Sequence, residues 1–341
     1  MTKLVVVVAI LQQVDAGVLS LDDAAQVEKY APELVRLPIL TGFDDASKPT
    51  YTERKNPITL RALLTHTAGL GYDFISPELM RWQDDTGAPG FWTNDAGVKG
   101  FELPLLYEPG TQYMYSIAID WAGIILERAT GLTLDEHFKK NIFGPLGINT
   151  ITFLVGPEDE AKMQAMSGRD LQTDKLVPSA GCRQQSTKIA QQSGGAGLVG
   201  TAKDYLRFLQ GILAGGSDKG SPIISKKSFD ELFTTSLAPD SAANSAHVDL
   251  TFMMSILGFS HPSLTQSASF EQTVGFPINT IDSPFGRKAG TGSWLGAAKT
   301  YYWLDPATGV AVSAVVTSIA NIAGFLRNPD CQPPHRIKPH V

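Results

Sequence analysis

Hydrophobic and polar positions along the chain fall into segments with different periods, and the first segment is apolar throughout. Leu4 to Leu11 reads LVVVVAIL, with Lys3 one step before it and Gln12-Gln13-Val14-Asp15-Ala16-Gly17 behind it. Leu4, Val7, Val8, Leu11 and Val14 keep helical spacing and Gly17 is a usual C-terminal cap, so the run predicts a buried helix with an amine at its mouth. The charged start and short apolar core also fit a secretory signal peptide, although no small-x-small cleavage site closes the run. Further along, Thr59 caps a short helix over Leu60 to His66, terminated by Gly69 and Gly71. Ile117, Trp121, Ile124 and Ile125 predict a clear helix closed by Gly131. Thr133 and Glu136 form a capping box for the next helix, which runs to Phe143. Thr201 caps an amphipathic helix to Ala214, and one more helix is expected near Ser228 to Phe233 within an otherwise polar, irregular 217–283.

Strand signals are fewer. Pro32 to Asp44 reads as strand and loop, 48–57 as a polar connection, and 150–192 as short strand-like pieces between charged turns. Gly290 to Trp303 and Val310 to Thr317 predict two strands of a hairpin joined through Asp305-Pro306-Ala307-Thr308-Gly309. Residues 72–104 carry Trp82, Phe91, Trp92 and Phe101 with little periodicity, which predicts a long irregular segment covering a site. Helices and antiparallel strands in this order give an α+β class, and no repeat or low-complexity linker divides the chain.

At 341 residues, 43% hydrophobic and 18% charged, the chain can bury a large core. Its net charge of −6 and the lack of a basic run argue against nucleic acid as a partner. No stretch reaches the 18 or so apolar residues of a membrane helix. Cys182 and Cys331 have no metal-ligand spacing and the six histidines form no helical ligand pair, so neither metal nor other cofactor is expected. So few cysteines fit a reduced, cytoplasmic setting.

The chemistry begins at Lys3. In an S-x-x-K arrangement a serine three residues before a lysine lies one helical turn away, where the amine can hold or take its proton. For Lys3 that position falls immediately before Met1, and no other lysine has a serine three residues upstream. Ser193-Gly194-Gly195-Ala196-Gly197-Leu198 suggests a phosphate loop, but it lacks a G-K-[ST] ending and a suitable preceding strand. His66, at the end of a small apolar helix, reads as a hydrogen-bonded structural residue. Tyr115, read from the residues alone, is either a core aromatic at a helix start or a site residue.

Four segments in order, MTKLVVVVAILQQVDAG, ITLRALLTHTAGLGYDF, YEPGTQYMYSIAIDWAGIILERATG and SGGAGLVGTAKDYLRFLQGILAGG, resemble the serine β-lactamase-related family, which holds class C β-lactamases, penicillin-binding proteins and their esterase relatives. The closing GRKAGTGSWLGAAKTYYWLDPATG resembles the third motif region of its esterase and fungal acyltransferase branch, of the lovastatin-type transesterase kind. The resemblance spans about residues 1 to 317 and implies a β-lactamase/transpeptidase-like fold, an antiparallel sheet flanked by helices with a mainly helical region. It implies acyl transfer from an ester, thioester or amide through a serine, whose proton passes to a lysine and tyrosine pair. Lys3 matches the lysine of S-x-x-K and Tyr115 the tyrosine of the second motif. Trp294-Leu295-Gly296 stands where β-lactamases carry K-T-G or H-T-G; Gly296 would let substrate approach the strand and the Ala297 N–H would donate to the oxyanion.

Two departures shape the expectation. Trp294 offers no cation for a β-lactam carboxylate, and Ile117 replaces the asparagine of many members, so esters or thioesters of small molecules are favoured over antibiotics. The resemblance also implies a segment before S-x-x-K with the first strands of the sheet, and a C-terminal helix packed on them. Neither is read here, and the tail Asn328 to Val341 is not amphipathic. The expectation is a single domain over 1–341 with an atypical tail at 318–341, in which Met1 is an internal methionine of a longer chain reading S-M-T-K. Its partners would be a small-molecule ester, thioester or acyl acceptor, with an acyl carrier left open. The competing readings are a β-lactamase or D-Ala peptidase of the same fold and a non-catalytic binding protein on the scaffold.

Overall fold

The apolar run folds as helix α1 (Thr2–Asp15), and every residue from Thr2 to Leu11 is buried. Four consecutive valines are poor helix formers in isolation, so packing on all sides rather than propensity holds this helix. Gly17 follows in the left-handed region at φ 70°. The structure, a computed structural model, describes residues 1–91, 96–169, 173, 175–179, 189–237, 270–283 and 286–315. Trp92, both cysteines and the 318–341 tail lie outside them.

Around α1 the chain builds helices α2 (Ala24–Tyr30), α3 (Pro32–Val35), α4 (Leu60–Leu64), α5 (Pro77–Thr86), α6 (Ala118–Thr130), α7 (Leu134–Phe138), α8 (Pro157–Glu160), α9 (Ala202–Ala214) and α10 (Lys226–Phe233). The expected caps are in place: Thr59 accepts from Ala62 N–H, Thr201 from Asp204 N–H, Gly131 closes α6 at φ 70°, and Thr133 with Glu136 completes the capping box. Helix α1 packs against α6, α7 and α10, so the helical core is assembled around it. Trp121, Phe138, Phe143, Phe153 and Phe208 are among its fully buried side chains.

The principal sheet is an antiparallel meander of β5 (Phe270–Gln272), β6 (Pro277–Asn279), β7 (Gly292–Leu295), β8 (Thr300–Asp305) and β9 (Val310–Val315), in that spatial order. Small hairpins β1 (Ile39–Phe43) with β2 (Pro49–Thr52), and β3 (Met166–Arg169) with β4 (Leu176–Ser179), lie apart from it in the chain. The β8–β9 hairpin turns at Pro306–Gly309 as expected, pairing Thr300 with Val315 and Asp305 with Val310. The expected single strand from Gly290 to Trp303 is two strands instead. It breaks at Gly296, whose N–H donates to the Thr300 carbonyl (2.8 Å), while Lys299 takes φ 53° and donates to the Gly296 carbonyl (2.8 Å). Of the residues that usually announce a turn, Gly296-Ala297-Ala298-Lys299 contains only the glycine.

Residues 72–104 are also more regular than expected. Ser76 caps α5 through Leu79 N–H, Pro77 opens it and Gly87 closes it at φ 66°. A 3₁₀ turn follows at Gly97–Phe101. Phe91 and Phe101 are buried and meet edge-to-face at 6.1 Å. Pro32–Val35, expected as strand or loop, is one helical turn because Pro32 starts it.

Candidate active site

Lys3 sits in the first turn of α1 and is 7% exposed. The start of that helix is tied down from two sides: the Tyr205 hydroxyl donates to the Met1 carbonyl (3.0 Å) and Leu198 N–H donates to Thr2 Oγ1 (3.2 Å). The Lys3 amine donates to the Tyr72 hydroxyl (3.0 Å) and the Gly195 carbonyl (2.8 Å). It also lies 4.7 Å from the centre of the Tyr115 ring, against its face. Lys3 and Tyr115, 112 positions apart in the chain by their numbering, are therefore brought together as expected. The hydroxyl that the amine bonds, however, belongs to Tyr72.

Tyr115 is fixed by its neighbours. Its ring lies 4.9 Å from that of His66, 5.4 Å from that of Tyr72 and 5.3 Å from that of Trp294. Ser116 N–H donates to His66 Nδ1 (3.3 Å), and the Ser116 hydroxyl lies 3.2 Å from the same nitrogen. A nitrogen that accepts a backbone N–H carries no proton of its own, so this imidazole is the neutral Nε2–H tautomer. Burial, with Lys3 nearby, pushes the His66 pKa well below its ordinary value, in agreement. The His66 carbonyl accepts from Met114 N–H (3.0 Å) and the Tyr107 hydroxyl (3.2 Å). His66, at φ 58°, thus fastens the segment carrying Tyr115, the structural role its place in the sequence suggests.

Trp294 lies on β7, 8% exposed, opposite Tyr302 of β8. Gly296 opens the β7–β8 turn, where a Cβ would come within 2.5 Å of Thr300 Oγ1. The space it leaves is filled by Thr300. Ala297 follows it in the same turn. Lys3, His66, Tyr113, Gln272, Phe276 and Trp294 line a narrow, partly open cleft between the helical core and the sheet.

Sequence reasoning missed three polar partners in this region. Asp120, on the apolar helix α6, is 1% exposed; its Oδ1 accepts from the Ser193 hydroxyl and from Gly195 N–H (2.9 Å). Burial raises the Asp120 pKa, with Lys3 acting in the opposite direction. Tyr72, 3% exposed, has its pKa pushed well up by burial and then by Asp120, so its hydroxyl stays protonated. Gly195, rejected above as part of a phosphate loop, is instead the carbonyl partner of Lys3. One signal was available: Asp120 stands three residues after Ile117 and four before Ile124, on the face that those residues bury. Among the described residues, no cluster of His, Cys, Asp or Glu could hold a metal ion, and no helix is long and apolar enough to cross a membrane.

The beta-lactamase family pattern matches residues 1–326. The chain belongs to the beta-lactamase family. It is 30% identical over 333 residues to the lovastatin esterase of Penicillium rubens, covering 95% of this chain and 80% of that protein. It is 27% identical over 320 residues to monacolin J acid methylbutanoyltransferase of Aspergillus terreus, covering 92% and 74%. The unliganded simvastatin synthase of A. terreus superposes with a TM-score of 0.82 at 26% identity, over 95% of this chain and 80% of that one. This family member therefore has the β-lactamase/transpeptidase-like fold, and these relatives are esterases and acyltransferases by name. They act on small molecules, as a small-molecule acyl partner requires.

Proposed function

We propose that this protein transfers acyl groups from small-molecule esters or thioesters through a serine in the S-x-x-K register of Lys3, the position immediately before Met1. The observation that carries the reading is the Lys3 amine, buried at the foot of a cleft and held against the Tyr115 ring. Lys3 takes the serine proton as Oγ attacks the carbonyl carbon. Tyr115 passes a proton to the departing alkoxide or thiolate and later accepts one from the incoming alcohol or water. The Ala297 N–H and the serine's own N–H are the oxyanion donors in this scheme. Trp294, its ring tilted against that of Tyr115, presents an apolar wall to the acyl group or acceptor and no charge to a β-lactam carboxylate. The names of the relatives, a lovastatin esterase and a monacolin J acid methylbutanoyltransferase, support a small-molecule ester or acyl acceptor.

The test uses a chain extended upstream of Met1 with serine at the adjoining position, assayed with short-chain activated esters and with a cephalosporin. Ester turnover is expected, with poor cephalosporin hydrolysis. Tyr115→Phe removes only a hydroxyl and is expected to lower kcat about a hundredfold, and Lys3→Met at least as much. Near-normal ester turnover in either variant would show the relay to be misassigned. Efficient cephalosporin hydrolysis would overturn the substrate class.

A further inference from the structure

We propose that Tyr72, Asp120 and the Ser193–Gly195 turn form a cradle that positions the Lys3 amine, with Asp120 aiming the Gly195 carbonyl at it. The inference rests on the acyl-transfer reading for its functional meaning and on geometry for its content. Lys3 has two hydrogen-bond acceptors, the Tyr72 hydroxyl and the Gly195 carbonyl, at 3.0 and 2.8 Å. The Gly195 carbonyl can point at the amine only if its peptide is held in one orientation. Asp120 Oδ1 supplies that hold: it accepts from the N–H of Gly195 itself and from the hydroxyl of Ser193 two residues earlier. The Ser193 hydroxyl in turn accepts from Ala196 N–H (3.0 Å), so the turn is clamped on both sides of Gly195.

Asp120 is a costly choice for packing alone. Ala118, Ile119, Trp121 and Ala122 beside it are buried, and its Oδ2 is buried without a hydrogen-bond partner among the described residues. Desolvating a carboxylate in such a helix carries a penalty that an apolar residue would avoid. The two glycines are explained by the same cradle. Neither has positive φ; both are glycine because nothing larger fits. A Cβ on Gly194 would strike the Ile119 carbonyl, and a Cβ on Gly195 would lie 2.5 Å from Asp120 Oδ2 and 2.9 Å from the Tyr72 hydroxyl. The S-G-G-A-G stretch is thus a lysine-positioning turn, with Asp120, Ser193 and Tyr72 as positioning residues.

Two readouts test this. The first follows the Lys3 side chain directly by NMR of lysine-labelled protein, in the parent chain, Tyr72→Phe and Ser193→Ala. Each substitution removes one hydroxyl with little change in shape and is expected to shift the Lys3 side-chain resonances. The second is kinetic, in the serine-extended protein. Tyr72→Phe and Ser193→Ala are expected to lower kcat about tenfold, with KM within about twofold and the pH–rate midpoint displaced. Asp120→Ala should lose more, and Asp120→Asn, which keeps an acceptor oxygen for Ser193 and Gly195, should recover most of the loss. Unchanged Lys3 side-chain resonances and unchanged kcat in both hydroxyl variants would overturn the cradle, as would an Asp120→Asn protein no better than Asp120→Ala. If the extended parent shows no ester turnover, the acyl-transfer reading fails, and the Lys3 resonances still decide the cradle.

Discussion

Helices α1 and α9 are of similar length and serve opposite purposes. Helix α9 is amphipathic: Tyr205, Phe208, Leu209 and Ile212 are buried, Lys203, Arg207 and Gln210 face outward, and it packs on strand β9. Helix α1 has no outward face over its first ten residues and is enclosed by α6, α7 and α10. An amphipathic helix is placed by its stripe, and its exposed side tolerates change. A helix enclosed all round is held by its neighbours in one rotation and one axial position, because close-packed interiors do not yield gradually. Lys3 is mounted on the second kind. The difference teaches that the site residue gains its precision from a core element rather than from a loop.

The sharpest way to break this comparison is a charge in α1. Val7→Asp is expected to abolish folding, at a cost of about 4 kcal/mol or more, because an unpaired carboxylate in that core has no hydrogen-bond donors. Circular dichroism and a denaturant melt would show it, and a cooperative near-normal transition would refute the enclosed-helix account.

A smaller effect separates the two regions by pH. Helix α7, which packs on α1, carries His137, 1% exposed, with neither ring nitrogen hydrogen-bonded among the described residues; burial lowers its pKa to about 4. The folded pKa lies below the unfolded value near 6.5, so from about pH 6.5 down to 4 the unfolded chain binds the proton first. Stability falls across that window, by on the order of 3 kcal/mol for this group. Buried Asp73, Asp120 and Glu127, whose pKa values are raised, act in the opposite sense as pH falls. The contribution is therefore read as a difference: wild type should lose more stability than His137→Phe between pH 7 and 4.5, and equal losses would contradict it. On the α9 side, Thr201→Ala removes the acceptor for Asp204 N–H and should cost about 1 kcal/mol. Gln210→Ala, on the exposed face, should change stability by no more than about 0.5 kcal/mol.

Much of the helical half was legible because its signals are local. Thr201, the Thr133–Glu136 box, Gly131 and Gly17 each mark an end within a few residues of the helix they bound. The break between β7 and β8 was not legible, since the strand-favouring residues Trp294, Leu295, Thr300 and Tyr301 flank Gly296-Ala297-Ala298-Lys299 and the turn is set by cross-strand pairing. Strands β5 and β6 were missed for a related reason: three residues each carry no readable alternation. In the site, Lys3, Tyr115 and Trp294 converge as the motif order implied. Tyr72 and Gly195 did not announce themselves, because their meaning lies in contacts 69 and 192 positions from Lys3. Asp120, 75 positions from Gly195, left only the trace of a charge on a buried helix face.

The most direct test of the central claim is intact-mass measurement after exposure to an activated ester, comparing the chain beginning at Met1 with one carrying serine in the adjoining position. The extended protein is expected to gain one acyl group, located on that serine and lost in Lys3→Met, while the chain beginning at Met1 gains none on any serine. Stoichiometric acylation of a serine in the chain beginning at Met1, or an adduct in the extended protein that survives Lys3→Met, would contradict it.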